Sequence, residues 1–186
     1  MKKFKEMQKP KLIDLKYSGD ARGFFCEVWR DKELANLTEI TEWAQVNWSR
    51  SSQGVLRGLH FQRPPHAQAK AVWVTRGKVF DVCLDIRGNS PDFGKTYIFE
   101  LCGDNPQMLY VPQGFAHGFC TVSESVDFMY RCSGLYEPSA EGGVLWNDPQ
   151  LEIHWPSLKY TLSKRDEKWP SFNAQLEELK GLTWNT

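Results

Sequence analysis

His60, Lys70 and Tyr130 each interrupt an apolar stretch with a side chain that can do chemistry, and together they suit proton transfer at a carbon beside a carbonyl. His60 lies in GVLRGLHFQ (residues 54–62). An imidazole, with an ordinary pKa of ~6.5, accepts a proton at neutral pH. Tyr130 lies in SVDFMYRCS (125–133). A phenol titrates at ~10 and so has a proton to give. Lys70, in AKAVWV (69–74), brings a cation that can stabilise an enolate. Each also has a plain structural use: a histidine satisfied by a neighbour, a core tyrosine with its hydroxyl capped, a lysine with its stem along an apolar surface. Other chemistries find less support. The HxH pair that holds a metal on one strand is missing, His66 lies past Pro64-Pro65, and His117 stands alone in PQGFAHGF, so no metal is expected. Neither a nucleophile elbow nor a Gly-rich phosphate loop opening a helix is present.

Strands must bring these residues together, because they are far apart in the chain. Strict alternation puts Leu56, Gly58, His60 and Gln62 on one face and Val55, Arg57, Leu59 and Phe61 on the other, unless a bulge at Gly58 changes the side of Arg57. From about residue 43 to 136, short apolar alternations separated by turn signals predict antiparallel β-structure rather than βαβ units. AVWVTRGKVFDVCLDIR (71–87) reads as a tight hairpin at Arg76-Gly77. KTYIFEL and QMLYV, joined through Gly103-Asp104-Asn105, repeat that design, and GFCTV with SVDFMYRCS forms a further pair. In the last of these, Val126, Phe128, Tyr130 and Cys132 share one face. Helix is expected only at Asp31 to Leu37 and at Ser171 to Lys180, the latter capped by Ser171 and stopped by Gly181. Eight or more short strands without intervening helices predict an all-β jelly roll, with a pocket at its mouth where His60, Lys70 and Tyr130 meet.

Composition narrows the partners. A chain of 186 residues suits one domain, 1–186. Lysine plus arginine (23) equals aspartate plus glutamate (23), so no overall field favours nucleic acid or a membrane surface, and an anionic ligand must be held by local cations. The basic start MKKFKEMQKPK is not followed by an apolar h-region, and no run approaches the ~18 apolar residues of a span; a cytoplasmic protein is expected. Five cysteines (26, 83, 102, 120, 132) occur singly, and Cys83, Cys120 and Cys132 read as small buried hydrophobes rather than disulfide or zinc partners.

VLRGLHFQ, AQAKAVWVTRGKVFDVCLDIR, PQGFAHGF and WNDP closely resemble the dTDP-4-dehydrorhamnose 3,5-epimerase family, and the resemblance runs from GDARGFF (19–25) to LSKRD (162–166). It implies a cupin-type jelly roll working without metal or other cofactor, a homodimer, and epimerisation at C3 and C5 of dTDP-4-dehydro-6-deoxy-D-glucose. The product would feed rhamnose-type deoxysugar and cell-surface polysaccharide biosynthesis. It also implies roles. His60 is similar to the family's general base, Asp166 to its carboxylate partner, Tyr130 to its proton donor and Lys70 to the cation beside the C4 oxygen. Arg22, Arg57 and Arg165 resemble its diphosphate contacts, and Tyr136 the aromatic that stacks on thymine. Glu27, Gln45, Asn47, His117 and Glu141 fall on further ligand-contacting positions. This chain departs from the pattern at Leu135, where many members have a second aromatic, and at Arg165, where lysine is usual. A mono-epimerase acting at C3 or C5 alone, and a non-catalytic sugar-nucleotide-binding cupin, are the competing readings.

Overall fold

In a computed structural model, which describes residues 8–38, 40 and 42–184, the apolar alternations become strands, the central ones buried on both sides and the edge ones partly exposed. One five-stranded antiparallel sheet runs β1 (Lys11–Asp14), β9 (Gln107–Val111), β6 (Lys70–Arg76), β11 (Ser125–Cys132), β4 (Gln45–Ser52). The other runs β12 (Glu141–Gly143), β5 (Leu56–Gln62), β10 (Phe115–Thr121), β7 (Lys78–Asp85), β8 (Thr96–Cys102). A separate hairpin pairs β2 (Tyr17–Asp20) with β3 (Gly23–Cys26). The result is the expected all-β, cupin-type jelly roll with short flanking helices.

Three apolar clusters hold it. Val72, Val74, Leu109, Val126 and Phe128 of the first sheet interdigitate with Val79, Cys83, Leu101, Phe115 and Phe119 of the second. Outside the second sheet, Leu59, Phe61, Val82, Leu84 and Ile86 lie under C-terminal residues, including Leu179 and Trp184. Outside the first, Ala71, Trp73 and Met108 are covered by Trp29, Trp43 and Leu34 of α1 (Asp31–Thr38). The central strands of each sheet are therefore covered on both faces and read as near-continuous apolar runs.

The expected hairpins are corrected. β6 and β7, β8 and β9, and β10 and β11 each fall in different sheets, so the turns between them are corners where the chain crosses over. A run–glycine–run sequence is the same for a corner and a hairpin; what differs is where the ladder hydrogen bonds go. β6 pairs with β9 and β11, while β7 pairs with β10 and β8. Gly77 makes its corner at φ +80, where an added Cβ would sit 2.1 Å from the Ser125 carbonyl oxygen.

The first helix falls where expected. The second is shorter: a 3-10 turn at Asn173–Gln175 precedes α2 (Leu176–Gly181). The buried Gln175 side chain donates to the carbonyls of Gly143 and Pro170, which holds that residue out of helical register. Ser171 keeps its capping role, its Oγ accepting from the Ala174 amide at 3.2 Å. Most of the basic start, residues 1–7, lies outside the described residues.

Candidate active site

Across β5 and β10, His117 pairs with His60 and Phe119 pairs with Arg57, so two steps on β10 span three on β5. The extra residue is a bulge, and it falls at Gly58. Gly58 has φ +134, and a Cβ there would lie 2.5 Å from the Gly118 Cα, so only glycine fits. The bulge cancels the alternation that would have separated Arg57 from His60. Both line one cavity of about 400 Å³ between the sheets.

The second sheet supplies Arg57 and His60 from β5 and His117 from β10. The first supplies Lys70 from β6, Tyr130 from β11, and Gln45 and Asn47 from β4. Glu141 begins β12, Tyr136 stands on the loop before it, and Asp166 and Arg165 arrive on the 3-10 turn Asp166–Lys168 and its cap. Phe119 and Phe128, stacked at 4.1 Å, form an apolar wall of the lining, with Phe61 and Cys132 beside them in it.

His60 Nε2 lies 2.5 Å from Asp166 Oδ1, with the carboxylate buried and the imidazole partly open to the cavity. Burial alone would raise the Asp166 carboxyl. The His60 contact, with donors on Ser163 and Trp169, outweighs it and leaves the carboxyl below its ordinary range. An ionised carboxylate there accepts the ring N–H and so fixes the tautomer and orientation of the imidazole. A depressed carboxyl contributes stability that is present above the unfolded-state value and lost as pH falls through the folded-state value. The stability gap between wild type and Asp166→Asn, measured by urea unfolding, is therefore expected to hold at pH 7 and to shrink below the ordinary 3.8.

Opposite, Tyr130 packs against the inner cluster, and its hydroxyl makes no hydrogen bond among the described residues. Burial, then neighbouring Cys132, raises the phenol, so it stays protonated at neutral pH. Lys70 lies in register with Cys132 and forms no ion pair among the described residues, leaving its charge for a ligand. At the mouth, Tyr136 donates its hydroxyl hydrogen to Glu141 at 2.8 Å, and Glu141 also pairs with Arg165. An imidazole, a phenol and an ammonium thus face one space from two sheets, groups that can together deprotonate and reprotonate one carbon.

A family model described as dTDP-4-dehydrorhamnose 3,5-epimerase matches residues 5–174. The chain belongs to that family. A Salmonella typhimurium enzyme of that name is 43% identical over 168 residues, covering 89% of this chain and 91% of its own. The Escherichia coli enzyme of that name is 42% identical over 165 residues, covering 88% and 89%. A solved Legionella pneumophila dTDP-6-deoxy-D-glucose-3,5-epimerase, in complex with dTDP-4-keto-L-rhamnose, superposes with TM-score 0.89 at 41% identity, covering 98% and 96%. A 3'-monoepimerase from Streptomyces bikiniensis, in complex with dTDP-quinovose, gives TM-score 0.83 at 28% identity, covering 94% and 96%.

Two ligand positions expected from the epimerase resemblance lie away from this cavity. Arg22 is at the β2–β3 turn, its side chain 90% exposed and paired with Asp20 at 2.5 Å. Glu27 is exposed and paired with Arg30 at 2.6 Å. The hairpin bearing Arg22 is not part of either main sheet, so nothing within one chain carries it to the cavity. Gln45 and Asn47 do line the cavity but also bond each other at 2.8 Å.

Other contributors were missed. Asp81 accepts from His117 Nε2 at 2.9 Å, a second imidazole–carboxylate pair, fully buried; its signal was an acid on the inward face of the apolar run VFDVCL. Ser163 and Trp169 brace Asp166 through a segment whose approach to β5 no local pattern announces. Asp81, Cys83 and His117 also place donor atoms within 4.8 Å of one another, a grouping the separate sequence positions did not suggest. Three donors fall short of a closed four-ligand zinc site. In the metal-free protein, burial and then the Asp81 charge push the Cys83 thiol well up.

Proposed function

We propose that the chain epimerises C3 and C5 of dTDP-4-dehydro-6-deoxy-D-glucose to give dTDP-4-dehydro-L-rhamnose, through an enolate. The observation that carries this reading is the placement of the His60–Asp166 pair and the Tyr130 hydroxyl on opposite sheets around one cavity. Protons at C3 and C5 are acidic only because the C4 ketone can become an enolate. His60 removes the proton, Lys70 stabilises charge on the C4 oxygen for both carbons, and Tyr130 returns a proton to the opposite face. Arg57 and Arg165 hold the diphosphate, Tyr136 stacks on the base, and Asn47, His117 and Glu141 line the remainder.

On this reading the whole chain is one catalytic domain, cytoplasmic and a homodimer, with no nucleic-acid or membrane partner. A second copy would bring Arg22 to a diphosphate and Glu27 to the polar part of the ligand: the β2–β3 hairpin carries Arg22 beside exposed Phe24 and Phe25, an apolar surface that pairing would cover. Substrate incubated with the protein in D₂O is expected to take up solvent deuterium at both C3 and C5, read by NMR or mass spectrometry. Label at one carbon only would replace this reading by mono-epimerisation, which the 3'-monoepimerase neighbour makes the specific alternative. No label at either carbon would leave a binding protein.

A further inference from the structure

The loop of residues 133–137 joins β11 to the 3-10 turn Pro138–Ala140 and carries Leu135 and Tyr136, both exposed, with Tyr136 lining the cavity. A loop with outward apolar side chains and no ladder partner would ordinarily sample many shapes. This one is tied at every residue. Ser133 exchanges bonds with Ala69, its amide donating to the Ala69 carbonyl at 3.0 Å and its Oγ accepting from the Ala69 amide at 2.9 Å. Gln68 Nε2 donates to the Gly134 carbonyl at 2.7 Å, and Gln62 Nε2 to the Leu135 carbonyl at 3.2 Å. Gln45 Oε1 accepts from the Tyr136 amide at 2.9 Å, and Gln62 Oε1 from the Glu137 amide at 2.7 Å. Three glutamines, from β4, β5 and the β5–β6 connection, thus converge on one five-residue loop.

Gln62 is central. Its side chain is buried, and its second N–H donates to the His66 carbonyl at 2.7 Å, so both ends of the amide are engaged within the protein. It lines the cavity without a free donor to offer a ligand. We propose that Gln62, seconded by Gln68 and Gln45, is a positioning residue for the nucleotide end of the substrate, holding the 133–137 loop in the shape that presents Tyr136 to the base. This rests on the nucleotide-sugar reading above and goes beyond it: the stacking wall is preformed, so binding does not pay for ordering it. The reacting end of the sugar lies with His60 and Tyr130, so the effect should fall on binding rather than on the chemical step.

The test is a double-mutant cycle on the full chain with the nucleotide-sugar substrate, KM and kcat measured alongside the Kd of dTDP. Gln62→Leu keeps the apolar bulk and removes the amide; it is expected to raise KM and the dTDP Kd by about tenfold and to change kcat by less than about twofold. Gln68→Leu should show the same pattern at about threefold, and carries the cycle if Gln62→Leu does not fold. In a Tyr136→Ala background, either substitution should change KM by less than about twofold further, because the group being positioned is already gone. Unchanged KM in the single variants, an effect that persists undiminished beside Tyr136→Ala, or a loss confined to kcat would overturn the inference. A wild-type chain that binds dTDP but turns over no substrate would instead overturn the epimerase reading, leaving the cycle to be read in Kd alone.

Discussion

His60→Ala is expected to lower kcat by about 10²–10⁴-fold while changing the Kd of dTDP by less than about threefold. The split follows from the roles proposed above: His60 with Asp166 moves the proton, whereas Arg57, Arg165 and Tyr136, which line the same cavity, would hold the nucleotide. Alanine also strips the buried Asp166 carboxylate of its imidazole partner, which costs stability. His60→Asn keeps a hydrogen-bonding side chain beside Asp166 and still lacks a base, so it should lose turnover comparably with less loss of stability. A non-catalytic binding protein would keep its function through both changes, and steady-state kinetics with dTDP calorimetry separates the cases.

Tyr130→Phe should be as damaging to product formation, by about 10²–10⁴-fold, for a different reason. The phenol packs against the inner cluster, with a hydroxyl unengaged among the described residues and a titration raised first by burial. On the proposed mechanism it keeps its proton until an enolate accepts it. Phenylalanine keeps the packing and removes only the hydroxyl, so the fold should survive, while His60 and Lys70 should still generate the enolate.

The residues most legible in the sequence were those that broke a local rule. His60, Lys70 and Tyr130 are polar groups within apolar strands, and Gly58 marked the bulge that turns Arg57 inward beside His60. Asp166 was different. It lies in a C-terminal segment that returns to β5, over a hundred residues away in the chain, and only likeness to a family pointed to it. Strand positions were readable from alternation, but strand partners were not: the glycine corner at Gly77 and a hairpin turn have the same sequence, and the choice is made by β9, β11, β10 and β8 competing for the ladder bonds. Asp81 and Gln62 show the same limit, since each works through a partner that only the folded register supplies. Arg22 and Glu27 carried the chemistry of ligand contacts, yet a single chain leaves them outside the cavity.

If base and acid act from opposite faces of one sugar ring, removing the acid should uncouple exchange from inversion. The decisive measurement is therefore substrate incubated with Tyr130→Phe in D₂O and followed by NMR. Deuterium is expected to enter at C3 or C5 of substrate that keeps its original configuration, because His60 would return the label to the face it came from. Epimerised product forming at the wild-type rate would contradict it, as would an absence of both exchange and product in a folded, dTDP-binding variant.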